Sequence, residues 1–224
     1  MVLVHRSIPP RLASDRPPLL LLLHGIGADE EDLLPLATAL DPRFHVVSVR
    51  APHLAEPMGY RWYAIDWTAT PPRGDPAEIA ASRDLLARFV EEAPAALGTD
   101  PARAFLLGFS QGAILSLALL LARPALLLAR PALVRGVVAH SGRLARLPGP
   151  EPTPEALAGT EVLLLHGAAD DVVPAALGRK AGEVLSALLG PRVEHREIPG
   201  LGHEISPESL ALAAAWLSKR LDQR

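Results

Sequence analysis

Residues 104–112, Ala-Phe-Leu-Leu-Gly-Phe-Ser-Gln-Gly, constrain the fold of this chain more than any other stretch. A short apolar run enters Gly108-Phe109-Ser110-Gln111-Gly112, and an apolar stretch of helical character, 113–121, leaves it. G-x-S-x-G between a strand and a helix is a nucleophile elbow, a turn so sharp that the serine stands clear of the sheet on strained backbone. Glycine is required on both sides because a Cβ there would collide as strand and helix close on each other.

Such a turn needs a layered surrounding, and the rest of the chain supplies the pattern. The continuous apolar run 19–23 ends at His24-Gly25, as expected of a strand buried on both faces. Residues 29–40 then show helical spacing through Leu33, Leu34, Leu36, Ala37 and Leu40, and 44–49 reads as a second strand. Asp75-Pro76-Ala77-Glu78 offers an N-cap, a proline at N1 and an acid at N3, opening a helix expected to reach about Ala93. Further strands are expected at 134–139, 162–165 and 193–198, with helices at 175–189 and from Ser206-Pro207 to about Leu221. Strands alternating with helices imply right-handed crossovers, hence an α/β fold with a mostly parallel central sheet and helices on both faces. Function in such sheets collects at the carboxyl ends of the strands.

The chain has 224 residues and a formal net charge of -3, suited to one domain, 1–224, with a sizeable core. With no basic cluster, nucleic acid and anionic membrane are not expected as main partners. Cysteine is absent, which excludes disulfides, thiolate chemistry and Cys-based metal sites. The apolar region 113–134 is interrupted by Arg123-Pro124 and Arg130-Pro131, so it reads as a buried helix and its exit, not a membrane span. Within it, ARPALLL followed by ARPAL is a small local duplication at 122–133. The N-terminus has no apolar leader, and a cytoplasmic location is expected. There is no H-E-x-x-H, P-loop or G-x-G-x-x-G, so neither a metal nor a nucleotide cofactor is expected.

A serine hydroxyl becomes a nucleophile only when a base takes its proton and a third group orients the base. The loop Gly167-Ala168-Ala169-Asp170-Asp171 follows the strand at 162–165, and by spacing alone either Asp170 or Asp171 could be the acid. His203, in the glycine-rich loop after 193–198, is the expected base, completing the chain order Ser…Asp…His. His24 and His166 are expected in structural, hydrogen-bonded roles, and His5, His45 and His195 at the surface. Backbone N–H groups of Gln111, after the nucleophile, and of Ile26, in His24-Gly25-Ile26-Gly27, are the expected oxyanion donors. Of nine aromatic residues, Tyr60, Trp62, Tyr63 and Trp67 crowd into a long irregular segment at about 51–74 that also carries His53. That segment reads as a lid-like connection, with Trp62, Tyr63 and Trp67 either lining a substrate pocket or pinning the loop as a satellite core.

These residues resemble the carboxylesterase/lysophospholipase/acyl-protein-thioesterase family of the α/β-hydrolase superfamily over nearly the whole chain. The resemblance rests on Leu-Leu-His24-Gly25-Ile-Gly27, Arg50-Ala-Pro52, Arg61-Trp62-Tyr63, Gly-Phe-Ser110-Gln111-Gly, Ser141-Gly142, Asp170…Val-Pro174 and Gly202-His203. It implies the α/β-hydrolase fold, a Ser110–His203–Asp170 triad, small-molecule ester substrates, no cofactor and a homodimer. The register of the family's acidic loop selects Asp170 over Asp171, and Ala168 replaces the family's first acid there. Thioesters and lysophospholipids lie within the same expectation. The alternatives are a ligand-sensing member that has lost catalysis, or a lactone or amide hydrolase with the same triad.

Overall fold

The computed structural model describes residues 2–69, 72–122, 133–148, 153–155 and 157–222. Strand β1 (His5–Ile8) precedes β2 (Leu19–Leu23), a five-residue 3₁₀ turn (Leu34–Thr38) and β3 (His45–Val49). Two minimal ribbons follow, β4 (His53–Leu54) with β5 (Tyr60–Arg61), and β6 (Ile65–Asp66) with β7 (Arg73–Gly74). The remainder runs α1 (Pro76–Leu97), β8 (Ala104–Phe109), α2 (Gln111–Leu121), β9 (Gly136–His140), β10 (Glu161–Gly167), α3 (Ala175–Leu189), β11 (Val193–Ile198) and α4 (Pro207–Asp222).

Seven strands form one sheet in the order β1-β3-β2-β8-β9-β10-β11, parallel except for β1, which pairs antiparallel with β3. The chain builds outward from β2 to one side through β3, then returns to the other through β8. Alternation along each strand sorts side chains into two cores. Leu19, Leu21, Leu23, Leu106, Val137 and Leu164 face the layer of α1, α2 and α3. Leu20, Leu22, Phe105, Leu107, Val138 and Leu163 face α4, through Trp216 and Leu217, and the 3₁₀ turn. Because both faces are covered, these strands are apolar throughout, which is why the runs at 19–23 and 104–107 carry no polar alternation.

Three expectations are corrected. Residues 29–40 form turns and the short 3₁₀ segment, not an α-helix. Pro35 could not donate to the Glu31 carbonyl and its ring would crowd that group; the carbonyl accepts from Leu34 at 3.3 Å instead. The apolar spacing still seats Leu33, Ala37 and Leu40 in the α4-side core. Helix α1 continues past Ala93 through Pro94 to Leu97, closing at Gly98 (φ 67°) with the Thr99 amide bonded to Pro94 O at 3.1 Å. Ala93 and Pro94 are both buried, so packing outweighs the hydrogen bond that proline forfeits. His45 is buried, bonded to Ser7 Oγ at 2.6 Å, and His5 and His195 are half-buried, because strand position overrides their polarity. Strand β1 has no apolar run to announce it; it is a polar edge, a composition that discourages pairing with other chains.

Asp75 caps α1, accepting from the Ala77 and Glu78 amides at 2.8 and 2.9 Å. Most of the duplicated Ala-Arg-Pro segment lies outside the described residues. Among those described, no helix is long and apolar enough to cross a membrane.

His140 ends β9 inside the molecule. Its Nδ1 lies 3.2 Å from Ser141 Oγ, while Nε2 is buried with no hydrogen-bond partner among the described residues. It borders a void of about 10 Å³ shared with Leu36, Leu107, Val138 and Leu210. Burial, reinforced by His166 and His203, pushes its pKa down from 6.5 to about 4. The unfolded chain therefore binds a proton near pH 6.5 that the folded chain refuses until about pH 4. The stability this group contributes is intact above pH 6.5 and is lost as pH falls toward 4. Urea unfolding should show the protein losing roughly 2 kcal/mol between pH 7 and pH 5 through this residue alone. His140→Leu should remove that part of the slope; an unchanged slope would contradict the assignment.

Candidate active site

In-register pairing brings the strand ends to one edge: Leu23 opposite Gly108, Phe109 opposite His140, and Gly167 opposite Ile198. The loops leaving them carry Ile26, Ser110, Ser141, Asp170 and His203. Ser110 sits between β8 and α2 at φ 52° and ψ -114°, a region that a non-glycine residue occupies at a cost of about 1–3 kcal/mol. Its amide is held by His140 O at 3.0 Å, and its carbonyl accepts the Ile114 amide at 3.0 Å. The turn closes because no side chain intervenes. A Cβ on Gly112 would stand 2.0 Å from Leu23 O, and one on Gly108 2.4 Å from Gly112 O.

His203 Nε2 lies 2.9 Å from Ser110 Oγ, and its Nδ1 lies 2.8 Å from Asp170 Oδ2. Asp170 is buried, whereas Asp171 beside it is exposed. The other carboxylate oxygen of Asp170 accepts the Val172 and Val173 amides at 3.0 and 2.8 Å. Burial alone would raise the Asp170 pKa, but hydrogen bonds from His203, the Val173 amide and Ser141 outweigh it and hold the group below the ordinary carboxylate range. It is thus an anion at neutral pH. His166 braces the same turn, its Nε2 2.7 Å from Val173 O, and His24 bonds Gly25 O through Nδ1 and accepts the Ala51 amide through Nε2. Both have the structural place expected of them, and burial lowers the His24 pKa, keeping it neutral.

Ser110 and His203 open onto a pocket of about 160 Å³. Gly25, Ile26 and Gln111 line it beside Ser110, and the Gln111 amide, at the first position of α2, has no acceptor within the helix. The Ile26 loop is clamped from outside: Gly27 N donates to Tyr60 O at 2.9 Å, and Tyr60 N donates to Ala28 O at 2.8 Å.

The aromatic segment divides between the two readings. Tyr63 and Trp67 line the pocket, Tyr63 buried and Trp67 60% exposed at its mouth. Trp62 does not line it. Its indole donates to His24 O at 2.9 Å from a fully buried position, and its carbonyl accepts the Ser82 hydroxyl. The buried Gln111 side chain joins this segment to the elbow, accepting the Trp62 amide and donating to Tyr63 O, both at 2.8 Å. Trp62 is an anchor because an N–H buried in the core must find an acceptor, and the His24 carbonyl provides one. His53 lies half-buried in β4, outside the pocket lining.

Sequence reasoning passed over Ile65, Arg143, Val172 and Leu177, which also line the pocket. Only Val172 had a signal, its place beside the acid. Among the described residues, no three His, Asp or Glu side chains are grouped to hold a metal ion.

A family model described as phospholipase/carboxylesterase matches residues 12–221. Esterase YpfH of Escherichia coli (strain K12) is 30% identical over 199 residues, covering 87% of this chain and 79% of that protein. A probable carboxylesterase of Oryza sativa subsp. japonica is 34% identical over 129 residues, 57% of this chain and 52% of its own length, so the match spans about half of that relative. Among solved structures, esterase PE8 superposes with a TM-score of 0.78 at 29% identity, covering 97% of this chain and 98% of that one. A carboxylesterase from Mesorhizobium loti gives 0.74 at 30% identity, covering 96% and 93%. With its mostly parallel sheet and the elbow at the centre of it, the chain belongs to the phospholipase/carboxylesterase family and has the α/β-hydrolase fold.

Proposed function

We propose that the protein is a serine esterase that hydrolyses carboxylic esters with short to medium acyl chains through an acyl-enzyme. The observation that carries this reading is the continuous Ser110–His203–Asp170 hydrogen-bond chain, with links of 2.9 and 2.8 Å, at the floor of a mainly apolar pocket. Esterases and carboxylesterases among its relatives support it.

His203 Nε2 takes the Ser110 proton as Oγ attacks the acyl carbonyl, and Asp170 holds the tautomer and stabilises the imidazolium. The Ile26 and Gln111 N–H groups receive the oxyanion; the loss of one such donor costs about 3 kcal/mol in the barrier. His203 then protonates the departing alcohol or thiol and, in the second half, activates the water that releases the acid. Because the clamped Ile26 loop and the N-terminus of α2 are fixed before substrate arrives, little reorganisation accompanies the charge that develops. Tyr63 and Trp67 contact the acyl chain. The segment at about 51–74 serves as one wall of the pocket within a single domain, thioesters and lysophospholipids are alternative substrates, and a homodimer is the working form.

Incubation with a fluorophosphonate followed by mass spectrometry should place one adduct on Ser110, and its absence from folded protein would sink the mechanism. Turnover of 4-nitrophenyl butyrate should fall about 10⁶-fold in Ser110→Ala. Asp170→Asn should lower kcat about 10⁴-fold by upsetting the His203 tautomer. Asp171→Asn, altered at an exposed position, should retain activity; the reverse ranking would mean that the acid is misassigned.

A further inference from the structure

The pocket wall contains a cation for which the proposed ester hydrolysis has no use. Arg143 lines the same cavity as Ser110 and His203, half-buried, among Tyr63, Ile65, Pro72 and Ile114. Among the described residues, no aspartate or glutamate lines that cavity and no carboxylate lies within salt-bridge distance of Arg143. Its one hydrogen bond among the described residues is a long one, Nη2 to Pro72 O at 3.3 Å, which leaves most of the guanidinium fork unused. Three other sheltered arginines are paired with carboxylates, and half-buried Arg192 is instead satisfied by the carbonyls of Leu157, Thr160 and Leu189. Arg50 grips Glu30 at 2.5 Å, Arg61 holds Glu78, and Arg220 is shared by Glu161 and Glu194.

The backbone puts Arg143 there deliberately in the physical sense that several constraints converge on it. Ser141, at φ 54°, turns the chain out of β9 with its amide fixed to Leu165 O at 2.8 Å. Gly142 then passes so close to α2 that a Cβ would meet Ala113 Cβ at 2.7 Å. The residue that follows is delivered to the pocket. Tyr63, its phenol pKa pushed up by burial, stays neutral and cannot act as the counter-ion. A half-dry guanidinium in a mainly apolar pocket is a bidentate receptor for a carboxylate or phosphate.

Resting on the esterase reading above, we propose that the substrate is an anionic ester, whose carboxylate or phosphate is held by Arg143 while its carbonyl sits at Ser110. Arg143 is a specificity-determining residue, and as the one arginine or lysine among the described residues of the lining it selects one anionic group per substrate. A neutral ester of the same size fills the pocket but leaves the guanidinium to be desolvated without a partner.

The test compares matched pairs. Mono-4-nitrophenyl adipate is set against 4-nitrophenyl hexanoate, placing the anion on the acyl side. 1-Hexanoylglycerol 3-phosphate is set against 1-hexanoylglycerol, placing it on the leaving group. In at least one pair kcat/KM should favour the anionic member by about 10- to 100-fold, expressed mainly in KM. That preference should shrink as ionic strength rises, collapse toward unity in Arg143→Met, and be partly kept in Arg143→Lys, which retains charge without the fork. Neutral esters turned over as well as or better than both anionic partners would overturn the role of Arg143 while leaving the esterase intact. A preference that survives in Arg143→Met equally overturns it. No turnover of any of the four esters, with no fluorophosphonate adduct on Ser110, would instead overturn the esterase reading. Should Arg143→Met fail to fold, the wild-type ratios and their salt dependence decide the matter.

Discussion

The contact on which the rest of the structure depends is the near-touching of three backbones at Gly108, Gly112 and Leu23. With a Cβ at Gly112 only 2.0 Å from Leu23 O, α2 could not lie against β2 and β8, and the elbow would open. That close approach presses Ser110 into its positive-φ conformation, and bonds to His140 O and from the Ile114 amide hold it there. The strain is local, and its cost of about 1–3 kcal/mol is small beside a two-sided core. What it produces is a hydroxyl held apart from the helix that would otherwise bury it, with the unbonded amides of that helix beside it.

A second constraint links the elbow to the opposite wall. Gln111 is both the first residue of α2 and a side-chain strut to the Trp62 and Tyr63 backbone. Trp62 in turn reaches the His24 carbonyl, at the root of the Ile26 loop. One hydrogen-bond network therefore runs from Gln111 to the residues that flank Ile26, and it ties the positions of the two proposed oxyanion donors together. Buried amide and indole groups penalise any arrangement that leaves them unpaired, which favours a single geometry.

Most of the fold could be read from the chain because its central strands are apolar on both faces and Asp75 caps α1; β2, α3 and β11 fall at 19–23, 175–189 and 193–198, where the sequence pattern puts them. The failures share a cause. Periodicity reports which residues are buried, not what hydrogen-bonds to what, so Pro35 could turn an amphipathic stretch into a 3₁₀ turn while its apolar residues stayed in the core. Ser110 and His203 could be recognised because the elbow motif and the chain order of this architecture mark them, whereas Asp170 is separated from Asp171 only by the register of the family's acidic loop. Trp62 could not be separated from Tyr63 and Trp67, since neighbours in an irregular segment point in directions that composition does not encode. Arg143 was invisible for a similar reason: one arginine among many is distinguished only by the cavity that its place in the fold gives it.

The turn that carries the acid has an evolutionary side. Val172 and Val173 give their amides to Asp170 and also line the pocket. Backbone changes that reshape the cavity there would disturb the carboxylate in the same stroke. Ile65 and Trp67, on the facing wall, have no bond to the Ser110–His203–Asp170 chain and hang on a two-residue ribbon. The shape of the pocket can drift on that wall, one side chain at a time, while the side that carries Ser110, His203 and Asp170 stays still.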